Sequence, residues 1–226
     1  MTEKDTSVSP TVELQPRRSP QQDRAKDTVA KILDATAELL NEVGHTELNT
    51  NRVAERSGVN IATVYNYFPN KLALLHALAE QHARQQQVLI DLIYAQRTET
   101  GWRDIVDKMA DMAMEFNRTV TGAVALSRAM KSYPSLRQVD FEQDLHRSED
   151  AAKLLAELGI RGSPRELQVK ALVLFETMTA MVDYALQFYP DQADTALDEV
   201  KVMLKQYIQY WIEQSAEDSS SGDTAG

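Results

Sequence analysis

The chain contains no cysteine. That excludes a disulfide framework, a thiolate metal site and a thiol nucleophile. Glycine and proline are scarce, 8 and 7 among 226 residues, while alanine, leucine, glutamate and glutamine are common. This composition favours an all-α fold. No run of eighteen apolar residues occurs, so nothing in the sequence is built to span a membrane. The opening stretch MTEKDTSVSPTVELQPRRSPQQDR lacks the apolar core of a secretory signal, and the expected address is the cytoplasm. Basic excess is also missing. The net charge is −10 and the pI near 4.9, which on its own argues against a nucleic-acid protein.

What is present is ordinary globular material, with 43% hydrophobic and 26% charged residues, in a length that suits one or two domains with a sizeable core. Residues 1–22 are polar, carry Pro10, Pro16 and Pro20, and read as a disordered arm. The tail 215–226, SAEDSSSGDTAG, reads the same way. From Asp23 an apolar stripe begins at Val29, Ile32, Leu33, Thr36, Leu40 and Val43. This helix is expected to end at Gly44. A short helix starts near Asn49 or Thr50 and breaks at Gly58. Asn60 caps a third helix, Ile61 to about Phe68, which Pro69 stops. Asn70 caps a fourth, beginning at Lys71. Five further helices are expected at roughly 101–119, 121–132, 136–158, 164–189 and 192–214.

Three short N-terminal helices with a glycine-containing turn between the second and third are the parts of a helix-turn-helix. Seven residues of helix measure about 10 Å at 1.5 Å per residue, which suits a major groove of roughly 12 Å. The third helix has little charge. Asn60, Thr63 and Asn66 can exchange hydrogen bonds with base edges and phosphates, and Ile61 and Ala62 can meet thymine methyls.

The stretch TNRVAERSGVNIATVYNYFPNKLALL resembles the DNA-binding signature of the TetR family of bacterial transcriptional repressors. The turn Ala-x-x-x-Gly-Val, the Thr-hydrophobic-Tyr core and the closing Tyr-Phe-Pro-x-Lys agree with it in order and spacing, from about Thr28 to Leu78. The resemblance implies double-stranded operator DNA as partner, held by Thr50, Asn51, Asn60, Ile61, Ala62, Thr63, Tyr65, Asn66, Tyr67 and Lys71. In it Thr50, Tyr65, Tyr67 and Lys71 contact phosphate, and Ile61, Thr63 and Asn66 face bases. Val64 and Phe68 are core. Relatives often carry Lys-Gly where this chain has Ile61-Ala62, so its operator is expected to differ.

The acidic balance lies mostly elsewhere. Between Asp23 and Leu75 six basic residues stand against seven acids, a balance of −1 compared with −10 for the chain. Arg17, Arg18, Arg24 and Lys26 make a basic arm ahead of the first helix. Few phosphate contacts through charge, and more through hydroxyls and backbone N–H groups, are expected.

The domains are therefore expected as 23–75 for DNA binding and 76–214 for effector binding and dimerisation. The stretch Leu167–Tyr189 is apolar on nearly every side and reads as buried all round. In the last helix Leu197, Val200, Leu204, Tyr207 and Trp211 form a stripe. Two such helices suggest a homodimer built as a helical bundle, with Leu172, Leu197, Leu204, Tyr207 and Trp211 as candidate interface residues. A large monomeric core is the alternative. Family resemblance implies a small-molecule effector, for which methionine and aromatic residues supply adaptable apolar lining. The candidates are Met109, Met112, Phe116, Phe141, Phe175, Met178 and Met181. Glu176 and Asp183 share a helix face and are expected to meet solvent or an interface. His45, His76, His82 and His146 do not have metal-pair spacing. No cofactor, metal site, nucleophile elbow or phosphate loop is legible, so an enzyme is not expected. The functional expectation is a dimeric, effector-released repressor. The alternative is an effectorless regulator or scaffold whose larger domain serves only protein contacts.

Overall fold

The computed structural model describes residues 12–17, 23–97 and 99–222. Among these, the order of helices is α1 Asp23–Glu47, α2 Thr50–Ser57, α3 Ile61–Tyr67, α4 Lys71–Ala95, α5 Trp102–Thr119, α6 Ala123–Ser132, α7 Pro134–Glu157, α8 Pro164–Phe188 and α9 Ala193–Gly222, with one 3-10 turn at Pro190–Gln192 before the last. The described residues hold no strand and no helix long and apolar enough to cross a membrane. The chain divides into two compact units, Met1–Glu80 and Gln81–Gly226.

Unit one is α1, α2, α3 and the start of α4. Its core is the expected stripe, with Ile32 and Leu40 fully buried beside Val53, Val64, Phe68, Leu74 and Leu75. Burying one such side chain stabilises the fold by about 1.5–3 kcal/mol. Thr36 sits in that stripe at no polar cost, because its hydroxyl donates to the Ile32 carbonyl at 2.7 Å. Gly44 does not end the helix outright. It takes φ 73° and kinks the chain, and one more turn runs to Glu47.

Unit two holds the rest. α7 packs on α8, α8 on α9, and α5 against both α8 and α9. Ala110, Met114, Met178, Val182, Leu197 and Leu204 belong to one buried cluster, and Leu155, Leu167, Ala171, Ile208 and Trp211 to a second. α8 starts at a capping box, in which the Ser163 hydroxyl accepts from Glu166 N–H and the Glu166 carboxylate accepts from Ser163 N–H at 2.7 Å. The proline read as a break, Pro134, is the first residue of α7, where its missing N–H is harmless.

Three expectations change. Residues 1–11 and 18–22 lie outside the described residues, but 12–17 are tied to unit one: Arg17 N–H donates to the Tyr67 carbonyl at 2.9 Å, and the Asn70 amide donates to the Glu13 carbonyl at 2.9 Å. The final helix continues past 214 to Gly222. Ser215 holds it there, bonding back to the Trp211 carbonyl at 2.8 Å and accepting from Arg161 N–H at 2.9 Å. Last, α8 is not buried all round. Leu167, Ala171, Met178, Val182 and Ala185 face inward, while Val169, Val173, Met181, Tyr184 and Phe188 are exposed.

Candidate nucleic-acid interface and a cavity in unit two

The turn between α2 and α3 is set by three polar side chains and one glycine. Asn49 caps α2 by accepting from Arg52 N–H at 3.0 Å. Gly58 ends it at φ 67°, a left-handed position that suits a residue without Cβ. Asn60 caps α3 by accepting from Ala62 N–H at 2.8 Å, so its side chain is engaged in local structure. Asn70 accepts from Ala73 N–H at 2.9 Å at the start of α4. Pro69 stands between, and Phe68 N–H closes α3 on the Val64 carbonyl at 2.8 Å.

With Val64 and Phe68 buried at 0% and 1% exposure, the opposite side of α3 is turned outward. Ala62, Tyr65 and Asn66 are exposed, and Ile61, Thr63 and Tyr67 are half-buried. Asn51 is exposed on α2. Thr50, Tyr65 and Lys71 come together. The Tyr65 and Thr50 hydroxyls are hydrogen-bonded at 2.9 Å, and the Lys71 ammonium donates to the His45 carbonyl at 3.0 Å. All three line one open concavity of about 420 Å³, together with Asn49 and Asn70. Tyr67 is not among its lining residues; its backbone holds Arg17 instead.

The charges here are largely committed. Arg56 donates to Glu42 with two nitrogens at 2.8 and 2.7 Å and to Glu38 at 3.2 Å. Its guanidinium is held above its usual pKa, mainly by the Glu42 hydrogen bonds, and Glu42 is correspondingly lowered. Arg17 is paired in the same way with Glu13, with both contacts at 3.2 Å. Arg52 reaches the Glu47 carbonyl at 3.2 Å and its carboxylate at 3.9 Å. Sequence reading missed these pairings, since nothing in the spacing of Arg56 and Glu42 says that two helices bring them together.

Unit two holds a separate cavity of about 110 Å³. Met109, Phe175 and Met178 of the predicted effector set line it. Four others do not. Phe116 is buried with its ring at the edge of His82, centroids 5.6 Å apart. Phe141 and Met181 are exposed, and Met112 is half-buried away from the lining. Sequence reading missed the polar wall, formed by Gln87, Tyr94, Trp102, Arg147, Ser148 and Asp150. Burial first, and the Asp150 charge second, push the Tyr94 phenol up to about 12, so it stays protonated.

The predicted dimer residues also need correction. Leu197, Leu204 and Trp211 are buried inside their own chain, and Leu172 is half-buried; only Tyr207 is exposed. A stripe at helical spacing marks an apolar face without saying what covers it. Asp183 is half-buried, accepts from the Ser127 hydroxyl and pairs with Lys131 at 3.4 Å.

Comparison with known proteins bears on both units. Residues 32–78 match the family described as bacterial regulatory proteins, tetR family, and residues 100–210 match the tetracyclin repressor-like C-terminal domain. Among curated relatives, the class C tetracycline repressor of Escherichia coli is 51% identical over 49 residues, covering 22% of each chain. The chain spans only 22–35% of the length of curated relatives of this kind. Among solved structures, a TetR-family regulator from Streptomyces coelicolor aligns with a TM-score of 0.62 at 28% identity, over 81% of this chain and 99% of its own. A TetR variant from Acinetobacter baumannii, in complex with minocycline, aligns at 0.58 with 22% identity, over 82% and 97%.

Proposed function

The chain belongs to the TetR family of transcriptional regulators, and from that premise we propose that it is a homodimeric repressor that grips a palindromic operator through α3 and leaves it when a small apolar effector fills the unit-two cavity. The observation that carries the DNA half is the meeting of Thr50, Tyr65 and Lys71 on one polar concavity beside α3. Two hydroxyls and an ammonium there can hold phosphate, while Ile61, Thr63 and Asn66 read bases and Ala62 meets a thymine methyl. The start of α4 adds its helix dipole beneath Lys71. Asn60 works chiefly as a cap.

Exposed apolar faces support the dimer. Val173, Met181, Tyr184 and Phe188 on α8, and Val202, Met203, Tyr207 and Tyr210 on α9, recur at helical spacing and lie open to solvent in the single chain. A second copy covering them by two-fold symmetry would present two α3 helices to half-sites about 34 Å apart, or to a spacing that bent DNA permits. Release requires that the effector prefer a state in which that spacing is wrong. That the A. baumannii relative is found in complex with minocycline supports looking for a small-molecule effector.

Operators selected from a random DNA pool, then titrated by fluorescence anisotropy, test the reading. Changing Tyr65→Ala together with Lys71→Ala is expected to weaken selected-operator binding by at least tenfold while leaving the helical circular dichroism unchanged. Unchanged affinity in the double variant rejects this surface as the reading head.

A further inference from the structure

Residues 12–17 precede the first helix, yet they are fastened to unit one at two places. Tyr67 is the last residue of α3. The last carbonyls of a helix have no partner inside it. Here Arg17 N–H supplies one, donating to the Tyr67 carbonyl at 2.9 Å. Three residues on, Asn70 uses both ends of its amide. Its oxygen caps α4 by accepting from Ala73 N–H at 2.9 Å, and its nitrogen donates to the Glu13 carbonyl at 2.9 Å. Glu13 thus meets Asn70, and Arg17 meets Tyr67, so the stretch passes the α3–α4 turn in the opposite direction to it.

The side chains agree with that course. Leu14 and Pro16 are half-buried, while Glu13, Gln15 and Arg17 are exposed. Such alternation marks an extended chain with one face laid on a surface. On the outer face Arg17 and Glu13 close on each other, with contacts at 3.2 Å. The turn that the stretch spans belongs to the candidate site. Tyr65, Pro69, Asn70 and Lys71 all line the concavity of about 420 Å³. A turn fastened to a second segment at both ends keeps fewer conformations than one held by its own caps alone.

We propose that residues 12–17 are a positioning strap for DNA binding: by holding the Tyr67 carbonyl and the Asn70 amide they fix the α3–α4 turn, and through it the placement of Tyr65 and Lys71 against phosphate. The strap acts through its backbone and through Leu14. It does not act through the charge of Arg17, which Glu13 already holds. Groups set in place beforehand bind without first losing conformational freedom. The strap therefore strengthens operator binding without being needed for the helices to form. The inference rests on reading α3 and this concavity as the DNA-binding surface, and it adds positioning residues that lie outside the helix-turn-helix.

Full-length variants are titrated with the selected operator, with helical circular dichroism and melting temperature followed alongside. Arg17→Gln removes the charge and keeps the N–H, whereas Arg17→Pro removes both. Arg17→Gln should change affinity by less than threefold, and Arg17→Pro should weaken it at least tenfold. Leu14→Ser should weaken it as well, and Leu14→Met should bind like the parent. All four should keep their helical content and melt within a few degrees of the parent. Asn70→Ser keeps a capping oxygen and loses the bond to Glu13. Combined with Arg17→Pro it should cost much less than it costs alone, because a strap already released cannot be released again. Hydrogen exchange followed at single amides should show Arg17 N–H protected in the free protein, and Leu14→Ser should remove that protection. Equal affinity of Arg17→Pro and Arg17→Gln, fully additive losses at Arg17 and Asn70, an unprotected Arg17 amide, or an affinity loss accompanied by unfolding each overturns the proposal. The Tyr65→Ala, Lys71→Ala double variant separates it from the reading it rests on. If that variant loses binding while Arg17→Pro does not, the reading head stands and the strap falls. If the double variant binds like the parent, both fall.

Discussion

At the scale of single residues, His82 and Glu13 carry consequences that composition does not announce. His82 is 7% exposed, with its ring against the edge of Phe116. Burial pushes its pKa from 6.5 down to about 4. The neutral ring is therefore the one the fold accepts. Its contribution to stability is complete above the unfolded value of 6.5 and is lost as pH falls toward 4. Chemical denaturation at stepped pH should show that decline, and His82→Leu should flatten it. Glu13 acts on charge. Its carboxylate occupies the Arg17 guanidinium beside Tyr67. With DNA binding placed on this surface, Glu13→Gln frees one cation. The salt dependence of operator binding is then expected to steepen by about one unit of log–log slope. An unaltered slope would mean that Arg17 does not reach phosphate.

At the scale of elements, the helix-turn-helix was legible because its signals are local. Gly58 at φ 67°, Asn60 as cap and Pro69 as stop act within a few residues of themselves. No atom lies within 4 Å of a Cβ added at Gly58, so Gly58→Ala costs backbone strain and nothing else. About 1–2 kcal/mol is expected, a fall in melting temperature of roughly 2–8 °C at 2–4 °C per kcal/mol. A larger loss would reveal packing that the turn does not display. The end of α9 was not legible, because it depends on Ser215 meeting Arg161 from the α7–α8 connection, a contact far away in sequence. The same limit explains the cavity. Met109, Phe175 and Met178 carry an apolar signal that periodicity can find. Arg147 and Tyr94 do not, since they reach the cavity wall only when α4, α7 and α8 are packed. Leu197, Leu204 and Trp211 made a stripe that fits a partner or the chain's own core equally well, and the core has them.

At the scale of the whole molecule, the exposed stripes on α8 and α9 make a prediction about assembly. Tyr184 is 49% exposed in the single chain and sits between Met181 and Phe188. In the proposed dimer it is covered, and Tyr184→Glu places a charge where water is excluded. Sedimentation equilibrium should then give a monomer with unchanged helical content. Operator affinity should fall by at least a hundredfold, because two half-sites are no longer engaged by one linked molecule. A variant that stays dimeric would put the interface on another face, and the exposed Val88, Leu89 and Leu92 of α4 would be next to test.

The paired arginines of unit one bear on how such a molecule finds its site. Arg17, Arg52 and Arg56 are already held by Glu13, Glu47, and Glu42 with Glu38. Sequence-independent attraction to DNA grows with each cation free to displace counterions. With DNA binding placed on this surface, a reading head with three of its arginines engaged is expected to dwell more briefly on random sequence than one with all its arginines free. It spends more of its time in solution, sampling the chromosome in short, widely separated visits. Against the roughly 10⁶–10⁹ competing sites of a genome, fewer copies of the protein are then titrated away by bulk DNA. On the proposed function, a small cellular pool can then keep the operator filled.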